Sequence, residues 1–396
     1  MKLEDITVLD LSLFLPGPAA TQLMADHGAR VIKVENPLAP EPTRSAEAFP
    51  WTQGGETVMF RNTQRGKESI ALNLKTTAGK KALLALAREV DVVVEAFRPG
   101  VAERLGIDYP TLSVKNPGLV YCSLSAFGQN GPWRDRPAHD TATVAAAGIL
   151  DLTRSPEGDS GPAIIGVPIA DMLSSYLALS GILMALHRRN TTGEGDFIDV
   201  SMFESVLAAS PNIMGPVFGG NQTPERLQER THGGNAMLNV YETADAQFIA
   251  LGGGEKKFVE ALFTGLNRED FISAVTGPAG EGHWPAIKFL RAAFRQRTRA
   301  EWEMWFTGRD ICWSPVNSLK EAWDADHVWE RGMRFKDSQG NDHIGSAVRF
   351  SREPAQINTK LPQIGAETAK IIAELDLTEA DHKAILSELT KIVRTK

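Results

Sequence analysis

Apolar residues enter the first half of this chain in short bursts, separated by longer stretches with a three-to-four repeat. Residues 6–11 (Ile-Thr-Val-Leu-Asp-Leu) read as a short buried strand. Pro16-Gly-Pro18 makes a turn, residues 19–27 a helix ending at Gly28, and residues 30–35 a second strand. The pattern recurs as strand 69–75, helix 78–89 and strand 90–95. Helix 110–115, strand 119–124 and the turn Gly128-Gln-Asn-Gly-Pro132 come next. Such alternation predicts right-handed β-α-β crossovers and an α/β fold, a Rossmann-like doubly wound parallel sheet in a large domain covering 1–210. After Phe203 the pattern changes. Residues 211–224, rich in Pro and Gly, read as a crossover linker. Residues 239–243 and 247–251 flank a three-residue loop and predict a hairpin. Helices follow at 255–264, 284–295, 299–307 and 319–325. This predicts a smaller α+β domain at 225–325. The final segment, 326–396, carries two amphipathic helices, 366–375 and 379–393.

Composition narrows the class of protein. At 396 residues the chain holds about two domains on a roughly 150-residue prior. Its net charge of −7, without a basic block, argues against nucleic-acid partners. Cys122 and Cys312 have neither metal-ligand nor disulfide spacing, so a cytoplasmic location and no metal are expected. Cys312, between Ile311 and Trp313, is expected to be a small buried apolar residue. The N-terminus lacks the apolar core of a signal peptide. Residues 163–186 are apolar enough to resemble a membrane span. Pro168, Asp171 and three serines interrupt them, so a buried core helix and no membrane partner are expected.

Two polar sites stand out. Asp171 closes Gly166-Val-Pro-Ile-Ala-Asp171 and precedes the apolar run to Leu186. His139-Asp140 lies 32 residues before it. A carboxylate beside an imidazole suits acyl transfer, or proton abstraction next to a carbonyl. Each has a plainer reading: Asp171 as a helix N-cap, His139 as a loop histidine. Glu255, after Gly252-Gly-Gly254, reads equally as a cap and as a pocket residue. Arg98 and Arg104 around Pro99-Gly100 suit phosphate binding as well as solvated surface. No Walker A or Gly-x-Gly-x-x-Gly motif follows a strand, so nucleotide hydrolysis and ordinary NAD binding lose their warrant.

Taken in order, a set of segments resembles the class III CoA-transferase superfamily across nearly the whole chain. They are Val8-Leu-Asp-Leu11 with Pro16-Gly-Pro18, Gly28 to Glu35, Arg65 to Lys75, Glu95-Ala-Phe-Arg-Pro-Gly100, Phe127-Gly-Gln-Asn-Gly-Pro132, Pro168-Ile-Ala-Asp171 and Gly193 to Phe203. The resemblance implies an interlocked homodimer and a C-terminal segment, 326–396, returning to the large domain. It implies coenzyme A or acyl-CoA as substrate, a carboxylic acid as second substrate, and no tightly bound cofactor. It maps CoA contacts onto Phe14, Leu15 and Pro16, onto Asn73, Leu74 and Lys75, and onto Phe97, Arg98, Arg104 and Leu105. Asp171 matches the aspartate that becomes acylated in transferases of this type.

The superfamily also holds alpha-methylacyl-CoA racemases, whose His and Asp act as opposed bases at the α-carbon. His139-Asp140, Glu255 and the stretch 298–332 are similar to that branch, with Asp140 or Glu255 orienting His139. Pro168-Ile-Ala-Asp171 without a following glycine run, and Leu238 where racemases carry tyrosine, are similar to the transferases. Leu15, where formyl-CoA types carry glutamine, speaks against an oxalate-type substrate. The balance favours transfer of CoA through an aspartyl anhydride and an aspartyl-CoA thioester. The amides at the start of the helix after Asp171 are expected to hold the oxyanion, and Gly233-Gly234 and Gly252–Gly254 to shield the anhydride. A non-catalytic homologous subunit is a third reading, against which the retained Asp171 stands.

Overall fold

A computed structural model describes residues 1–154 and 161–393. It divides into two compact units, one of Met1–Ile149, Ile165–Leu207 and Asp326–Lys396, the other of Leu150–Ile164 and Ala208–Ala325. Residues 150–154 and 161–164, within the span expected for the large domain, thus group with the second unit.

In the first unit the described residues form a six-stranded, wholly parallel sheet. Its strands are β1 (Thr7–Asp10), β2 (Arg30–Glu35), β3 (Glu68–Ala71), β4 (Val92–Glu95), β5 (Val120–Ser125) and β6 (Phe197–Ser201), in the spatial order β3-β2-β1-β4-β5-β6. The chain runs outward from β1 to β3, then crosses back to β4. The switch point, where ligands bind in doubly wound sheets, therefore lies between β1 and β4.

Strand side chains alternate between two apolar layers. Val8, Val31, Val92 and Val94 face α1 (Pro16–Asp26) and the long helix formed by Ile169–Thr192. Leu9, Ile32, Ile70 and Val93 face Thr77–Glu89. We number the helices α1, α2 (Thr77–Glu89), α3 (Asp140–Ala146) and α4 (Ile169–Thr192). The C-terminal segment also belongs to this unit. Ile371, Ile372 and Ile385 join the second layer, and Thr368 Oγ1 accepts the Ala71 amide at 3.0 Å. These contacts cover the outer edge of β3, which an open sheet would leave exposed to pairing.

Helix α4 departs from the expected core helix. Ala170, Ser174, Ala178, Ile182 and Leu186, spaced by four, form its buried stripe, while Tyr176, Leu177, Leu183 and Met184 are exposed. Small residues on the stripe bring the helix close to the sheet and leave much of its apolar surface on the other side. By length and composition alone it is apolar enough to cross a membrane.

The second unit holds an antiparallel sheet of β7 (Leu238–Glu242), β8 (Phe248–Gly252) and β9 (Trp313–Pro315), in the order β9-β8-β7. Its core stacks Tyr241, Phe294, Trp302 and Phe306. The expected linker 211–224 contains a short helix, Gly215–Gly220. Cys312 is exposed rather than buried. Ile311 is buried while its neighbour is exposed, so flanking apolar residues do not imply burial at the position between them.

Candidate active site

The loop after β1 is held in place from several sides. Asp10 accepts the amide of Ser12 at 3.0 Å, and Lys33 Nζ donates to the Ser12 carbonyl. Phe14 adopts a left-handed backbone, φ +63°, and its amide donates to Glu41 Oε1 at 3.1 Å. Ser175 Oγ of α4 donates to the Pro16 carbonyl at 2.7 Å. Beneath the loop lies a buried charge network. Lys33 forms an ion pair with Glu41 at 3.0 Å, and Lys67 Nζ donates to Asp10 at 3.0 Å and to Thr21 at 2.8 Å. Burial alone would raise the Asp10 carboxyl, but Lys33 and Lys67 hold it well below the usual range. Sequence reasoning missed this network. Its signal was a charge inside each apolar strand, Asp10 in 8–11 and Lys33 in 31–34.

The other resemblance-mapped residues also follow carboxyl ends of parallel strands. Asn73, Leu74 and Lys75 come after β3. The Asn73 carbonyl accepts Thr76 N at 3.0 Å, and its side chain accepts Lys75 N at 3.1 Å. A β-carbon on Gly79 would fall 2.2 Å from that carbonyl, so α2 can start there only with glycine. Phe97 and Arg98 come after β4, and the Phe97 amide donates to Glu95 at 2.7 Å. Burial pushes Glu95 up to about 7 despite its bonds to Ser123 and Phe97. Arg98 and Arg104 are exposed on either side of Gly100, and among the described residues neither pairs with a carboxylate. Leu105 is half-buried at the end of the short helix Val101–Leu105.

Asp171 is not a cap. It is the third residue of α4, and Pro168 stands at the N-cap position without a side-chain cap. The capping acceptor is Asp140, whose Oδ1 takes the amides of Ala170 at 2.7 Å and Asp171 at 3.3 Å. Two expectations change as a result. These helix-start amides are already bonded and are not free to hold an oxyanion, and the Asp140 carboxylate serves α4 rather than orienting His139. The Asp171 carboxylate is half-buried, and no donor among the described residues bonds it. Burial, and then the like charge of Asp140, push it up to about 7. His139, at the N-cap position of α3, is exposed. Its ring meets the edge of Phe14 at 6.1 Å between centroids, with 71° between planes. The first unit thus gathers Phe14, Pro16, His139, Asp140 and Asp171 through α1, α3 and α4.

Glu255 lies in the second unit, after β8. It occupies the N-cap position of the helix Lys256–Gly265, and its side chain makes no cap bond. Gly253 has a packing reason to be glycine. A β-carbon there would lie 2.7 Å from Cys312 Cβ and from the Phe258 ring.

The sequence model of CoA-transferase family III matches residues 3–368, and the chain belongs to that family. Succinyl-CoA–D-citramalate CoA-transferase of Chloroflexus aurantiacus is 37% identical over 393 residues, covering 96% of this chain and 95% of the relative. Human alpha-methylacyl-CoA racemase is 32% identical over 385 residues, covering 96% and 95%. Among solved structures, a CaiB/BaiF family protein from Brucella suis is similar with a TM-score of 0.80 and 28% identity, covering 94% of this chain and 99% of that one.

Proposed function

We propose that this chain moves CoA from an acyl-CoA donor to a carboxylic acid, with Asp171 as the nucleophile. One observation carries the reading: a desolvated carboxylate, unbonded among the described residues, raised to about 7 and held beside the switch-point loop. Raised basicity strengthens a nucleophile, and ionisation near neutral pH keeps it available. The carboxylate attacks the thioester carbonyl, forming a mixed anhydride and expelling CoA thiolate. The thiolate attacks the aspartyl carbonyl, giving an aspartyl-CoA thioester and releasing the first acid. The acceptor carboxylate then attacks that thioester and expels thiolate, which takes the new acyl group and regenerates Asp171. Arg98 and Arg104, exposed past β4 without acidic partners among the described residues, suit the phosphates of CoA.

The transferase names of relatives such as the Chloroflexus aurantiacus protein support this choice of chemistry, with a dicarboxylic acid as acceptor class. The exposed apolar side of α4 supports a homodimer, and the cysteine usage supports a cytoplasmic location. Intact-mass analysis after mixing with an acyl-CoA panel tests the mechanism. A covalent adduct that hydroxylamine removes, lost in Asp171→Ala, is expected. No adduct with any acyl-CoA would overturn it.

A second reading has its own support. A carboxyl near 7 also suits proton exchange at an α-carbon, and His139 offers a second base in the same unit. Under it the chain is a 2-methylacyl-CoA racemase.

A further inference from the structure

We propose that Phe14 is a positioning residue for the His139 imidazole, held in a left-handed backbone conformation by Glu41. The inference rests on the reading of this unit as an acyl-CoA site. A left-handed φ is unfavourable for a bulky side chain and persists only where the surroundings over-determine it. The ring does not supply that determination, being 42% exposed. The backbone on both sides does.

Ser12 is fixed by Asp10 and Lys33, and the Pro16 carbonyl by Ser175. The Phe14 amide is fixed by Glu41 Oε1, which also accepts Thr43 N at 3.3 Å and Thr43 Oγ1 at 3.0 Å. The other oxygen of Glu41 pairs with Lys33, and both side chains are 1% exposed or less. So many buried charges are expensive to assemble beneath a surface loop unless the loop's shape is needed. What that shape achieves is a ring set edge-on against His139. An exposed imidazole in an extended loop otherwise has no fixed rotamer, and the structure gives its ring no hydrogen bond among the described residues.

The test compares Phe14→Gly, Phe14→Ala and Phe14→Tyr in wild-type and His139→Ala backgrounds. Both small variants lose the ring, but only glycine relieves the backbone, so Phe14→Gly should melt about 1–2 °C above Phe14→Ala. Phe14→Gly should lower kcat about fivefold in the wild-type background and not at all in His139→Ala, because coupled residues show non-additive effects. Phe14→Tyr should recover most of that loss. The His139 Cε1–H resonance, assigned through its disappearance in His139→Asn, should move in Phe14→Gly because the ring current is gone.

A raised KM with unchanged kcat, or a kcat loss that persists without His139, would make Phe14 a direct acyl-CoA contact and overturn the inference. An unmoved His139 resonance, or a Phe14→Gly no more stable than Phe14→Ala, would overturn it as well. Should the wild type process no acyl-CoA, the proposed function fails, and the resonance and melting comparisons still decide this inference.

Discussion

Asp171 is held in a place where its own charge opposes folding. In the unfolded chain an aspartate ionises near pH 3.9; in the folded chain burial and Asp140 push it up to about 7. The folded state therefore binds the proton more tightly. The resulting stabilisation is fully present below about pH 4 and is lost as pH rises through 7. Asp171→Asn keeps the shape and removes the charge. It should be more stable than wild type at pH 8.5, by an amount on the order of a few kcal/mol, and indistinguishable at pH 4. Thermal melts at the two pH values measure this, and equal melting differences at both would contradict it. The same carboxyl as nucleophile predicts that kcat/KM climbs as pH rises through about 7, while Asp171→Ala abolishes turnover. Asp171 and His139-Asp140 were legible because a charge and an imidazole interrupt otherwise apolar or proline-rich runs. Glu41 was not, since nothing in its local sequence announces the ion pair it forms eight residues away, with Lys33.

Among the elements, most strands and long helices lie where their periodicity put them, because one face or both must be buried and the pattern records it; the strand expected at 69–75 ends at Ala71, and α4 buries only one stripe. Helix α2, expected at 78–89, runs Thr77–Glu89, and the expected hairpin forms from β7 and β8. The start of α4 was misread because its cap comes from Asp140, thirty residues before the amide it binds best. Local rules for helix ends look within a few residues and miss such a partner. Asp140 thus does two things at once: it satisfies helix amides and it raises Asp171. Substitution separates the two. Asp140→Asn keeps a side-chain oxygen for the amides of Ala170 and Asp171 but removes the like charge. Its melting temperature should stay near wild type, while the acidic limb of kcat/KM moves to lower pH. Asp140→Ala should lose the cap as well, costing about 0.5–2 kcal/mol. An acidic limb unmoved in both variants would mean that burial alone sets Asp171.

At the scale of the whole molecule, the first unit leaves Tyr176, Leu177, Leu183 and Met184 exposed along one helix, an apolar strip that a lone soluble chain seldom shows. A homodimer covering it should sediment as a dimer at micromolar concentration, and Met184→Glu should weaken it; a wild-type monomer would contradict the assembly. The final question is which chemistry the molecule performs, and isotopes separate the answers. In a transferase, label from an isotopic acceptor acid appears in a new thioester, and His139→Ala slows turnover only moderately. In a racemase, a 2-methylacyl-CoA in D₂O gains deuterium at its α-carbon with no acceptor present, and His139→Ala nearly eliminates that exchange for one enantiomer. The first pattern is expected. Met172-Leu-Ser-Ser175 follows Asp171 on α4, and two of those residues, Ser174 and Ser175, are buried; the Ser174 hydroxyl donates to the Asp171 carbonyl, and the single Ser175 proton is shared between that carbonyl and the Pro16 carbonyl. No glycine run follows Asp171 there, which is the transferase-like pattern of the sequence. Rapid α-exchange without an acceptor acid would reverse this assignment and make Asp171 and His139 the two bases.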